Sequence, residues 1–216
     1  MDNTLDSLYW RYAVKKFDPE KVLSETKLDK LKNAFNLTAT SYGLQPIRLL
    51  VVRDKRLQES LVSHSYEQRQ VAEASHLLVI CVELNIDTAY IEGYFKKVRR
   101  VRGTAPEILQ PYRDALVDSF AKKTPEEIYT WAVHQAYLAL GNLLTVCAME
   151  RIDSCPMEGF IPEAYDRILK LKDQGLTAVL ALPVGYRSED DAFSAYKKVR
   201  RELRDSIITI VEEQKK

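Results

Sequence analysis

Helical and strand periods alternate along this 216-residue chain, which predicts a mixed helix-and-strand domain. Three short β-rich apolar runs, RLLVVRD (48–54), HLLVICVEL (76–84) and LTAVLALPVG (176–185), read as buried strands. Between them lie helical patterns, the strongest opening at Thr124-Pro125-Glu126-Glu127, where a hydroxyl cap, a proline and a Glu form a capping box. No repeat, low-complexity tract or Pro/Gly/Ser-rich linker interrupts the series, so residues 1–216 are expected to form one domain.

Taken in order, Leu5, Leu8 and Tyr9 follow a cap at Asn3 or Thr4, and Ser24 precedes Leu28, Leu31 and Phe35; both spacings predict amphipathic helices. Residues 87–122 read as helical and polar, with the basic run KKVRRVR at 96–102. The helix from Thr124 to about Arg151 carries AYLALGNLLTVCAM, apolar on nearly all faces, and is expected to be central and buried on several sides. A short helix is expected after RIDSCPMEGF. Finally SIITIV (206–211) reads as a terminal strand in need of a sheet, behind KKVRRELRD, a solvated helical face.

Charge and motif content narrow the chemistry. Lys plus Arg number 32 against 31 Asp plus Glu, so the formal charge of +1 exerts no global pull on nucleic acid or anionic membrane, and any anion must be bound locally. Cys81, Cys147 and Cys155 lack metal-ligand spacing, and His64, His76 and His134 pair with no second His or Cys; no metal site is expected. His76 and His134 are expected to be hydrogen-bonded structural histidines. No apolar run approaches the roughly 20 residues of a membrane span, and MDNTLDSLYWR has no apolar signal region, so a soluble cytoplasmic protein is expected. The seven glycines never approach a phosphate-cradling spacing, so a phosphate held here would need side-chain cations.

RYAVKKFDP (11–19) supplies such cations in Arg11, Lys15 and Lys16, and YKKVRRELR supplies Lys198 and Arg200. Spacing alone leaves two readings open, a charged edge segment in water or an anion site.

RYAVKKFDP, TSYGLQPIRLLVV, ASHLLVICV, WAVHQAYLALGNLL, CPMEGF, and ALPVGY followed by KK-V-R occur in this order. Together they resemble the FMN-dependent nitroreductase family, in the branch whose loop reads SYGLQP, over nearly the whole chain. The resemblance implies an α+β fold with a mixed, mainly antiparallel sheet flanked by helices, and a homodimer with C-terminal strand exchange and two interfacial FMN sites. It implies that Arg11, Lys198 and Arg200 converge on the FMN phosphate, with Tyr12 and Ala13 in the same turn and Lys15 at the flavin's pyrimidine edge, where it stabilises negative charge at N1/O2. Thr40, Ser41, Gly43 and Gln45 would approach from the second copy. Pro156, Met157, Glu158 and Gly159 would lie beside the ring, with a backbone N–H, that of Glu158, at N5. Glu67 stands where the family often has Asn: either it accepts from N3–H, or it turns outward and leaves the contact to Gln70.

The activity so implied moves hydride from NADH or NADPH through flavin N5 to a small-molecule acceptor, such as a nitroaromatic or quinone. Alternatives are a specialised flavin reductase or dehalogenase of this fold, or a binding protein using 96–102 on nucleic acid or acidic partners; near-neutral charge disfavours the last. Three phosphate cations supply roughly 5–9 kcal/mol. Nanomolar retention needs about 12 kcal/mol, so burial of the ring must contribute the rest.

Overall fold

The computed structural model describes residues 3–210. Its strands are β1 (Ile47–Val52), β2 (His76–Glu83), β3 (Asp153–Ser154) and β4 (Leu176–Gly185), hydrogen-bonded in the order β1-β2-β4-β3 with every ladder antiparallel. The parallel component is a single bridge, Ala13 to Ser154. β2 reads as an unbroken apolar run because both its faces are covered. Leu78, Ile80 and Val82 enter one core, while Leu77, Val79 and Cys81 enter the other. β1 differs: only Ile47 and Val52 are buried, because it is an edge strand and its middle residues are half covered.

The helices are α1 (Asn3–Trp10), α2 (Glu25–Asn36), α3 (Lys55–Ser60), α4 (Gln70–Glu73), α5 (Thr88–Arg102), α6 (Pro106–Ala121), α7 (Pro125–Met149), α8 (Pro162–Ile168) and α9 (Leu203–Ser206). α2 follows its sequence signals closely: Ser24 caps it by accepting from the Lys27 N–H, and Leu28 and Leu31 are buried. The basic run lies on α5, where Lys96, Lys97, Arg99, Arg100 and Arg102 are exposed around buried Val98, a solvated helix face. α7 opens on the expected capping box, with Thr124 and Glu127 satisfying each other's backbone N–H groups. It buries Ala132, Gln135, Ala136, Ala139, Leu140, Leu143 and Cys147 against the sheet and α2.

α7 is buried on several sides, while its outer side exposes Tyr137, Leu138 and Met149, with Leu138 54% exposed. Several expectations are corrected. α1 already contains both candidate caps, and it turns Ser7 inward while Leu5, Leu8 and Tyr9 face out. Its small side meets α7, and Leu5, Leu8 and Tyr9 on the other side stay exposed among the described residues. His134 is exposed, whereas His76 is buried beside the Ser75 hydroxyl, 2.9 Å from Nδ1. KKVRRELRD forms no continuous helix, because 197–202 are irregular before the short α9. Ile207–Ile210 pair with no strand among the described residues, and Ile208 is 91% exposed; Val211, the end of SIITIV, lies outside the described residues.

Candidate functional site

The site is built where the segment after α1 lies along the short β3. Ala13 bridges Ser154, the Val14 N–H donates to the Ser154 carbonyl (3.2 Å), and the Asp18 N–H donates to the Tyr186 carbonyl (2.9 Å). Val14 and Phe17 are fully buried and anchor the segment, which leaves Lys15 and Lys16 between them exposed. The two lysines then part: Lys16 pairs with Asp190, while Lys15 faces the cleft described next.

Arg11, Tyr12, Ala13 and Lys15 line a cleft of about 380 Å³ together with Lys198 and Arg200 from the tail. The tail is held there by the Lys198 ammonium, which donates to the Arg11 carbonyl. Arg11, Lys15, Lys198 and Arg200 have no carboxylate partner among the described residues, and the Arg11 Nε is buried without an acceptor. Burial, and then the neighbouring Arg200, hold the Arg11 pKa below its ordinary value. Lys198 is likewise lowered, by burial first and then by Arg11 and Arg200. Clustered cations that depress one another lack a negative charge, and an anion entering the cleft relieves both the repulsion and the orphaned donor. The cleft thus fits a phosphate monoester, on side-chain cations rather than a glycine-rich turn.

The other expected elements adjoin this cleft in part. Cys155 is buried and its thiol pKa rises through burial, while Lys15, Gln70 and Arg11 pull it down. The Gln70 side-chain amide lies 3.9 Å from the Cys155 Sγ, so Gln70 adjoins the start of the 155–159 loop. Gln70 is buried and donates to the Gln68 side-chain oxygen (3.2 Å), and Gln68 donates to the Gly159 carbonyl (2.9 Å). Glu67 is exposed, on backbone at φ 58°. The Met157 N–H is committed to the Ala181 carbonyl, whereas the N–H groups of Glu158 and Gly159 have no acceptor among the described residues. The Tyr137 phenol pKa is raised, first by the neighbouring Glu158 carboxylate and then by burial. Pro156 is half-buried at the start of this turn.

Thr40, Ser41, Gly43 and Gln45 lie elsewhere in the chain. The Ser41 N–H donates to the Gln135 side chain (2.8 Å) and the Gln45 N–H to the Thr40 hydroxyl (3.1 Å). Gly43 adopts φ 73°, a conformation that favours glycine, and a Cβ there would stand 2.6 Å from the Tyr94 hydroxyl, so that side chain would have to shift. Gly43 and Gln45 line a second cleft, of about 630 Å³, against β1 and α5, so within one copy this loop does not join the cation cleft.

Three residues beneath the cleft escaped sequence reasoning. Asp153 and Arg187 form an ion pair, and the Arg187 guanidinium stacks on Trp10 (4.4 Å) and Tyr12 (4.5 Å). Asp191 accepts from the Tyr12 hydroxyl and from backbone N–H groups of the same segment. These partners lie 34 and 175–179 residues apart, and nothing in local spacing marks them.

Comparison with known proteins agrees with this architecture. The model of the Nitroreductase family matches residues 8–186. A Staphylococcus aureus protein named "Putative NAD(P)H nitroreductase" is 31% identical over 196 residues, covering 86% of this chain and 87% of its own. A nitroreductase-like protein of Streptococcus mutans superposes with a TM-score of 0.85 at 23% identity, over 98% of this chain and all of its own (100%). An Exiguobacterium sibiricum structure, described as a putative nitroreductase in complex with FMN, gives 0.78 at 15% identity, over 96% and 97% of the two chains. The α+β architecture, the antiparallel sheet and the extent of the match lead to one conclusion: this chain belongs to the nitroreductase family of oxidoreductases.

Proposed function

We propose that this chain is a single-domain, FMN-dependent reductase that oxidises NADH or NADPH and reduces a small acceptor such as a nitroaromatic or quinone, acting as a homodimer. The observation that carries the reading is the unneutralised cation cleft, with its orphaned Arg11 Nε, beside a loop whose Glu158 and Gly159 N–H groups are unclaimed. FMN, when bound, would supply the redox chemistry, and the residues of this chain would hold and orient it. Arg11, Lys198 and Arg200 hold the phosphate. Lys15 faces the pyrimidine edge and stabilises the negative charge of the reduced ring, and Gln70 takes the polar contact that exposed Glu67 leaves. The resemblance assigns the donor toward N5 to the Glu158 N–H, which is free for it, as is that of Gly159, whereas the Met157 N–H is already taken. No histidine or thiol is needed as catalyst.

The surface supports a second copy. Leu5, Leu8 and Tyr9 on α1, Tyr137, Leu138 and Met149 on α7, and Leu203, Ile207, Ile208 and Ile210 in the tail are exposed apolar groups. So much apolar surface is unusual on a monomer. β1 also keeps an unpaired edge. A tail that crosses to a second copy covers these groups, and the Thr40–Gln45 loop of that copy then reaches the cleft.

The test is anaerobic titration of the purified flavoprotein with NADH and with NADPH, then reoxidation by a panel of nitroaromatics, quinones and enones. Bleaching of flavin absorbance and its return with one acceptor class are expected. A protein that binds no flavin overturns the reading.

A further inference from the structure

We propose that Asp191 is the positioning residue of the anion cleft, fixing the distance between its N-terminal and C-terminal cations while leaving those cations unpaired. The inference rests on the phosphate assignment proposed above. Asp191 is buried, and its carboxylate lies against two elements at once. Oδ2 accepts from the Tyr12 hydroxyl (3.0 Å), the Lys15 N–H (3.0 Å) and the Lys16 N–H (3.3 Å), while Oδ1 accepts from the Phe193 N–H (3.1 Å).

Tyr12–Lys16 is the stretch that carries Lys15 and follows Arg11 directly. Phe193 belongs to the single turn of 3₁₀ helix, Ala192–Ala195, from which the chain continues to Lys198 and Arg200. One carboxylate therefore ties together two parts of the chain that meet nowhere in sequence. Its neighbour Asp190 takes the Lys16 ammonium and the Ser188 hydroxyl, so the two adjacent acids divide the work.

The choice of donors matters as much as the tie. A buried carboxylate beside several cations would ordinarily form an ion pair, and that pair would compete with any incoming phosphate. Asp191 instead spends its acceptor capacity on three backbone N–H groups and a phenol. Arg11, Lys198 and Arg200 keep their charge available. An amide in this place presents one oxygen and one NH₂, so at least one present donor would face another donor.

The experiment measures FMN and riboflavin affinities of the full-length apoprotein by flavin fluorescence, for wild type, Asp191→Asn and Tyr12→Phe. Wild type is expected to prefer FMN, because riboflavin lacks the phosphate. Asp191→Asn should lower that preference about tenfold, the scale of one hydrogen bond to a charged group, with riboflavin affinity nearly constant. Amide exchange at Lys15 and Lys16 should accelerate in the same variant. Tyr12→Phe removes one of the four bonds and should lower the preference about threefold, which keeps the test decisive if Asp191→Asn fails to fold. An unchanged FMN-to-riboflavin ratio in the folded variants overturns the role of Asp191 alone. A wild-type protein without preference overturns the phosphate assignment and this inference with it.

Discussion

Arg187 and Arg11 flank the same N-terminal segment, and the fold treats them oppositely. Arg187 is neutralised: its Nε and backbone N–H both donate to Asp153 (2.8 Å each), and its guanidinium lies between the rings of Trp10 and Tyr12. Each keeps one buried nitrogen without a hydrogen-bond acceptor, Nη2 in Arg187 and Nε in Arg11, but Arg11 has no carboxylate partner among the described residues and has cationic neighbours in Lys198 and Arg200. A paired, stacked guanidinium closes a structure, whereas one repelled by its neighbours is held for something that arrives later. The contrast separates the residues that make the turn from those that use it.

The largest effect should come from breaking the closed pair. Asp153→Asn leaves the half-buried Arg187 without its counter-charge, at a cost of up to about 3–5 kcal/mol, or about 6–20 °C in melting temperature for a chain of this size. Calorimetry of the apoprotein checks this, and a change under about 1 kcal/mol would show that the pair is not structural. Arg11→Met should do the reverse. Apoprotein stability should hold or rise as repulsion is relieved, while FMN affinity falls about 10- to 100-fold through loss of one charge-assisted contact. Parallel thermal and flavin titrations decide between the two behaviours.

Two smaller effects sharpen the contrast. Lys15→Met should lower the two-electron potential of bound flavin by about 30 mV, equivalent to a tenfold weaker hold on the reduced form. Potentiometry that finds no shift would place Lys15 in solvent. The smallest effect concerns pH. Burial and its cationic neighbours lower the Lys198 pKa in the fold below the ordinary 10.5. Between the two values the unfolded chain binds more protons, so apoprotein stability contributed at this site rises with pH and is complete above 10.5. Wild type should therefore gain on Lys198→Met as pH climbs through that window, and bound FMN should remove the gain. Chemical denaturation of both proteins across alkaline pH measures it.

Much of this was legible in the residues, for reasons specific to each element. The capping box at Thr124 states its own hydrogen bonds within four residues, and α7 begins there. β2 declared itself by an apolar run that only a strand covered on both faces supports. The exposed side of α7 was not legible, because Tyr137 and Leu138 are as apolar as the buried residues beside them. The same holds for α1, whose Leu5 and Leu8 announce a helix without saying which side the chain itself covers.

By itself, then, the sequence determined the longer helices, three of the four strands and the residue types able to hold an anion, since local periods, caps and charges are properties of neighbouring residues. It also carried the family motifs, Arg11 and the 156–159 turn among them. Only the tertiary structure decided which cations remain unpaired. Lys15 and Lys16 are adjacent in sequence, yet one lines the cleft and the other pairs with Asp190. Asp153 and Asp191 are ordinary carboxylates until folding brings Arg187 to the first and Tyr12, Lys15 and Lys16 to the second. Charge balance is a sum over space rather than along the chain, and so it is settled only when distant segments meet.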